Sequence, residues 1–253
     1  MGKLLERYLH RKTIARWQRA VQGAAAATNA QLRQQRDEAR KLRLVLDRLL
    51  REANERLTWP LIGSKQFPKP LGTDWSWRPD LWRAPLPRPG VASIPRKVEL
   101  DQQVKIFHDC PLSEISVRQT RNTDQKDLAA FGLGIDVFGF SGSFLSLSLD
   151  LPPEAVQGLT RQHLMRVDAH IETERPLDVI ARLNIQHGPN TDSVPRSLDL
   201  SANSNSLDFD LANLPLNERR IDKIWLDLVL GNPAMNRIVL RDLTLCRHHR
   251  ADL

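Results

Sequence analysis

Hydrophobic positions change their period twice along this chain. Residues 3–21 contain neither Pro nor Gly and carry Leu4, Leu5, Tyr8, Leu9, Ile14, Trp17 and Val21. At ~100° per residue the first four share one side of a helix, whereas Ile14, Trp17 and Val21 drift away from it, so the pattern predicts a helix without a clean membrane-surface stripe. Gly23, the Ala run 24–27 and Thr28-Asn29 mark a pause. A second helix over about 30–57 is better patterned: Ala39, Leu42, Leu46, Leu49 and Ala53 follow alternating spacings of 3 and 4, an a/d seam of two heptads. That is too short for a self-sufficient coiled coil, and it predicts a helical hairpin, docking on a partner, or oligomerisation through residues 39–53.

Helical periodicity then stops. Residues 59–95 hold eight prolines and four of the six Trp (59, 75, 77 and 82). Proline at this density predicts an extended, irregular segment without helix or central strand. Four indoles are too much apolar area for a flexible linker, so the segment is expected to lie along the following domain with its Trp side chains inserted.

From about residue 97 the period is two. Val104, Ile106 and His108 alternate with Lys105 and Phe107, and Leu145, Leu147, Leu149 and Leu151 alternate with Ser146, Ser148 and Asp150. Ile224, Leu226, Leu228 and Leu230 stand opposite Trp225, Asp227 and Val229. Further strands are predicted over 115–118, 163–174, 177–186, 206–211 and 237–246, with short helical interludes at 124–130 and 153–159. Eight to ten strands with few helices between them predict a mainly β protein: an antiparallel, jelly-roll-like β-sandwich preceded by an N-terminal α-helical arm and a Pro/Trp-rich extended segment. The expected domains are 1–58 (arm), 59–96 (belt) and 97–253 (sandwich).

Charge sharpens this division. The chain's net charge of +7 is confined to the arm, where residues 1–58 hold 14 Lys/Arg against 6 Asp/Glu. Arg33, Arg36, Arg40, Arg43, Arg48 and Arg51 lie mostly outside the apolar seam and form a candidate face for an anionic partner. No nucleic-acid-binding motif accompanies them, and interspersed acids dilute the field, so weak, non-specific contact with an anionic membrane or nucleic acid is the most this face predicts. No apolar run is long enough for a spanning helix, no signal segment is visible, and two cysteines do not make a disulfide scaffold. The expected location is cytoplasmic, with peripheral attachment to the inner membrane as an extension of that reading.

Catalytic signatures are absent. Gly139-Phe140-Ser141-Gly142-Ser143 lacks the second Gly of a nucleophile elbow, and Gly132-Leu133-Gly134 lacks the third Gly of a dinucleotide loop. His108, Asp109 and Cys110 are adjacent, but neighbours on a strand face opposite ways. Cys246, His248 and His249 read as an untidy basic tail, so no metal site and no cofactor are predicted. Asp136, Asp150, Asp168, Glu172, Asp227 and Asp242 supply carboxylates for a glycosidase, but nothing in their spacing selects a pair.

Saccharide binding would need aromatic platforms. The sandwich aromatics are Phe107, Phe131, Phe138, Phe140, Phe144, Phe209 and Trp225; phenylalanines in strands read as core, which leaves the sandwich poor in platforms. Trp75 and Trp77 share one side of an extended segment with Trp82 nearby, and serve either as packing anchors or as a sugar platform. Asn184, His187 and Asn190, in a polar loop over 184–192, and the loop 201–206 are candidate hydrogen-bonding rims.

The segments GTDWSWRPDLWR (72–83), FHDCPLSEI (107–115), DVFGFSGSFLSLSLDLP (136–152), ARLNIQHGPNT (181–191) and NPAMNRIVLRDLTL (232–245) resemble an uncharacterised domain-of-unknown-function family of alphaproteobacteria over the whole chain. That resemblance implies no activity and no site residues. The ending IWLDLVLGNPAMNRIVLRDLTL (224–245) is more loosely similar to the final hairpin of carbohydrate-binding jelly rolls, which implies an architecture only. The sequence thus points to a non-enzymatic binding or structural module with a saccharide or protein partner. A carbohydrate-active enzyme using sandwich carboxylates and a structural subunit of a larger assembly are the alternatives.

Overall fold

The computed structural model describes residues 2–57, 67–124, 127–200 and 205–250. Trp59 and most of the 201–206 loop lie outside the described residues. The chain divides into two compact units, residues 1–53 and 54–253.

In the first unit, helix α1 (Gly2–Gly23) is followed by a 3-10 turn (Ala24–Ala26) and helix α2 (Asn29–Leu57). The start of α2 is fixed by a capping box. Thr28 N–H donates to Gln31 Oε1 at 3.0 Å, and Gln31 N–H donates back to Thr28 Oγ1 at 3.4 Å. Arg16 of α1 meets Glu38 of α2 at 2.6 Å. No described side chain of these helices is buried, and Leu42, Leu46 and Leu49 of the predicted seam are exposed. No described helix is long and apolar enough to cross a membrane.

The second unit is a sandwich of two antiparallel sheets. In chain order its elements are β1 (Thr73–Trp77), α3 (Asp80–Arg83), β2 (Gly90–Val91), β3 (Lys97–Glu99), β4 (Val104–His108), β5 (Ile115–Arg121), β6 (Phe131–Val137), β7 (Leu145–Asp150), β8 (His163–Thr173), β9 (Asp178–His187), β10 (Asn190–Leu198), β11 (Asn205–Asp210), β12 (Ile221–Gly231) and β13 (Asn236–His249). One sheet runs β11-β8-β13-β6-β5-β2, with β1 also paired to β13; the other runs β10-β9-β12-β7-β4-β3. Alternation decides which side chains enter the space between them. Val104, Ile106, Leu145, Leu147, Leu149, Leu226 and Leu228 of the six-stranded sheet meet Leu133, Ile135, Met165, Val167, Leu243 and Leu245 of the other, and all are at most 3% exposed.

The Pro/Trp belt is sewn onto this core. The Trp82 indole is fully buried and donates Nε1–H to the Leu240 carbonyl at 3.0 Å. Buried Gln119 donates to the Leu81 and Ala84 carbonyls at 2.6 and 2.8 Å and accepts from Leu86 N–H at 2.7 Å. Arg78 makes a two-bond ion pair with Asp242 at 2.7 and 2.8 Å. The belt is more regular than its prolines predicted. One helical turn, α3, follows Pro79, whose fixed φ suits a helix start, and β1 pairs on one side only, where prolines nearby remove no ladder donor.

Two expectations are corrected. Residues 184–192 are not a loop: Asn184 to His187 end β9 and Asn190 begins β10, so only Gly188-Pro189 turns the hairpin. β10 escapes a hydrophobic-pattern reading because it is a polar edge strand, pairing among the described residues only with β9 and tolerating Pro195 there. The described residues of 124–130 form no helix, and the 153–159 interlude contains only a 3-10 turn, Pro153–Ala155.

Candidate functional site

The outer face of the six-stranded sheet carries an open groove of about 650 Å³. Strand register builds it row by row. Ser193, Asn184, Trp225 and Asp150 lie opposite one another across β10, β9, β12 and β7. The next row is Pro195, Arg182, Asp227, Ser148, Lys105 and Glu99, and the next is Ser197, Ile180, Val229, Ser146, Phe107 and Lys97. Ser146 and Ser148 sit on the central strand β7, and their small side chains let the floor dip between longer neighbours. Phe107, Phe144 and Trp225 supply aromatic surface along this face.

The polar groups are held in place by one another. Asp150 accepts from Lys105 and Lys223 at 2.7 Å each. Burial opposes ionisation of Asp150, but the hydrogen bonds from both ammonium groups outweigh it and hold the carboxyl below the usual carboxylate range. The same contact raises the Lys105 ammonium pKa. Asp227 accepts from Arg182 at 3.0 Å and from Asn184 Nδ2 at 2.9 Å, while Ser193 Oγ donates to Asn184 Oδ1 at 2.6 Å. Lys223 Nζ also lies 5.5 Å from the Trp225 ring centroid. The result is aromatic surface in separate rows of the groove, with pre-oriented donors and acceptors between them. Glycosidase chemistry would require one carboxyl raised in pKa to act as acid; Asp150 is shifted the opposite way.

Of the carboxylates singled out from the sequence, Asp150 and Asp227 line this groove; of the ligand-binding candidates, only Asn184 reaches it, buried, where it orients Asp227. His187 points to the inner side of β9, buried, with Nε2 at 2.8 Å from Asp192. Asn190 is exposed at the hairpin turn. Trp75 and Trp77 are on the other sheet, half-buried against the core, with ring centroids 6.4 Å apart. Trp82 is withdrawn as a binding residue, because a fully buried indole has no face for a ligand. Arg33, Arg36, Arg40 and Arg43 are exposed on α2; the side chains of Arg48 and Arg51 lie outside the described residues. Cys246 and His248 face one way along β13 and His249 the other, so that trio does not converge; burial pushes the Cys246 thiol up to about 11. Asp109 caps the 141–144 turn, and His108 bonds instead with the Ile94 carbonyl, so these neighbours share no site either.

The main correction concerns the aromatics. Of the six phenylalanines read as core, only Phe209 is buried, and Phe138 and Phe144 are 57% and 40% exposed. The overlooked signal was phase. Phe107 alternates in step with Lys105, and Trp225 with Lys223 and Asp227, so both rings must share the charged, outward side of their strands.

Comparison with known proteins gives distant structural likenesses. Tailspike protein 4 of bacteriophage CBA120, in its enzymatically active domain, is similar over 59% of this chain at 5% identity, with a TM-score of 0.41; the chain spans 20% of that protein's length. The module TmCBM61, in complex with beta-1,4-galactotriose, is similar over 57% of this chain and 88% of its own, at 12% identity and a TM-score of 0.35. A family 11 carbohydrate-binding module from Clostridium thermocellum, in complex with a beta-1,3-1,4-mixed-linked tetrasaccharide, is similar over 59% and 94%, at 8% identity and a TM-score of 0.35. No curated protein matches the sequence. At the level of sequence the match is complete in extent, residues 1–253, and the chain belongs to the family of unknown function DUF6478.

Proposed function

We propose that this protein is a saccharide-binding module whose ligand lies along the outer face of the six-stranded sheet. The observation that carries the reading is the exposed aromatic surface of Phe107, Phe144 and Trp225 beside fixed polar groups in one open groove. Sugars present apolar C–H faces for stacking and hydroxyls for bonding, and this face offers both. Arg182, Asp227, Lys105 and Asp150 provide donors and acceptors whose rotamers are already restrained, which lowers the entropic cost of binding. The helical arm then serves as the attachment element, with the exposed Leu42, Leu46 and Leu49 seam of α2 meeting its equivalent in a second copy.

Affinity electrophoresis of the full chain through gels containing different polysaccharides tests the reading. Retardation that Trp225→Ala abolishes and Trp75→Ala leaves intact, with unchanged circular dichroism, supports it. Migration unaffected by every polysaccharide, or retardation indifferent to Trp225→Ala, discards it.

A further inference from the structure

A second cluster lies on the seven-stranded sheet, where β1, β8 and β13 meet. His163 and His249 are cross-strand partners in the β8–β13 ladder, with ring centroids 4.4 Å apart. Asp74 sits at the irregularity in β1, between the residues paired with His248 and Arg247, and such a bulge re-aims a side chain. Its Oδ2 lies 3.6 Å from His163 Nε2. The nearest nitrogen and oxygen atoms of Asp74, His163 and His249 all fall within 4.8 Å of one another.

The arrangement leaves one atom unexplained. His163 is 3% exposed, and its Nε2, aimed into the cluster, has no hydrogen-bond partner. A buried ring nitrogen without a partner is costly. The opposite nitrogen, Nδ1, accepts from the Thr160 backbone N–H at 3.1 Å and lies 2.9 Å from Thr160 Oγ1 and 3.3 Å from its carbonyl oxygen. With Nδ1 as acceptor, the protonated Nε2 lies 3.6 Å from Asp74 Oδ2, beyond hydrogen-bond reach; a cation that replaces this proton, with Nδ1–H turned to Thr160 Oγ1 or the carbonyl, satisfies both groups. Asp74 is steadied from behind by Arg247, through contacts of 2.8 to 3.1 Å, and buried Arg247 is itself tied to the Ala155 and Gln157 carbonyls at 3.1 and 2.7 Å.

We propose that Asp74, His163 and His249 form a divalent transition-metal site of the two-histidine, one-carboxylate kind, with Zn²⁺ as its natural fit. Ligands about 2.0–2.1 Å from a tetrahedral zinc stand about 3.3–3.4 Å apart, so the Asp74–His163 pair is already near that separation. His249 and Asp74 are exposed, which gives the ion an entry path and leaves its fourth position to water. Thr160 and Arg247 are the outer contacts that orient His163 and Asp74. The metal joins the belt strand β1 to β8 and β13, and because its three ligands converge only in the folded chain, its binding stabilises the fold. The site is on the sheet opposite the groove and stands independently of the saccharide reading.

The experiment is calorimetric titration of the full, tag-free chain with Zn²⁺, repeated with Co²⁺ while following its visible absorption. The expected result is one equivalent bound, low-coordinate Co²⁺ bands, and a melting temperature raised by Zn²⁺. His249→Gln, an exposed change that leaves the core untouched, weakens binding at least tenfold and removes the thermal shift, whereas His170→Gln, also exposed, leaves both unchanged. Absence of saturable Zn²⁺ binding, or binding of equal strength in His249→Gln, overturns the proposal.

Discussion

Trp225 on β12 and Asp150 on β7 stand opposite each other in register, so an indole and a doubly hydrogen-bonded carboxylate share one row of the groove floor. They are far apart in the chain, and their proximity joins the site's two chemistries. Apolar ring surface and fixed polar groups thereby stand side by side.

Trp225→Ala is expected to weaken polysaccharide binding at least tenfold, equivalent to about 1.4 kcal/mol, because it deletes a ring face that the neighbouring residues cannot replace. The folded state should be little affected, since the side chain is only half-buried on the outer face. Binding isotherms and denaturant midpoints for the same variant separate the two effects.

The Lys105–Asp150–Lys223 contact predicts a pH dependence. The folded carboxyl of Asp150 titrates below its unfolded value of about 3.9, so its contribution to stability is complete above that pH and is lost as pH falls through the folded value. Asp150→Asn should therefore cost about 1 kcal/mol near neutral pH, and the difference from the parent should shrink on acidification. Urea unfolding between neutral pH and pH 3 measures it; a difference that stays constant with pH would refute the assignment.

Trp82→Ala removes a fully buried indole from beneath the belt and is expected to destabilise the second unit by about 3–5 kcal/mol. Trp82→Phe keeps much of the apolar volume but leaves the Leu240 carbonyl without its donor, at about 1–3 kcal/mol. Chemical denaturation should rank the three proteins in that order.

Leu42→Glu with Leu46→Glu places charges on the exposed seam of α2. If the arm pairs with a second copy, the native mass by light scattering drops to that of one chain while helix content is retained. A parent protein already monomeric at high concentration would remove self-association from the arm's roles.

Much of the sandwich was legible in the sequence because a strand's period is two. Leu145, Leu147 and Leu149 against Ser146 and Ser148, and Leu226 and Leu228 against Trp225 and Asp227, declare their inner and outer sides from local pattern alone. The same rule, applied to Phe107, turns its ring outward with Lys105. β10 was hidden because a polar edge strand has no apolar side to display.

The sequence by itself determined which residues of each strand face in and which face out, since that depends only on neighbours along the chain. Only the packed chain settles which of these residues meet. Trp225 joins Asp150 and Asn184, and His249 joins His163 and Asp74, through pairings between distant segments. Those pairings are set by how the two sheets bury their apolar faces together, a long-range balance that no local period encodes.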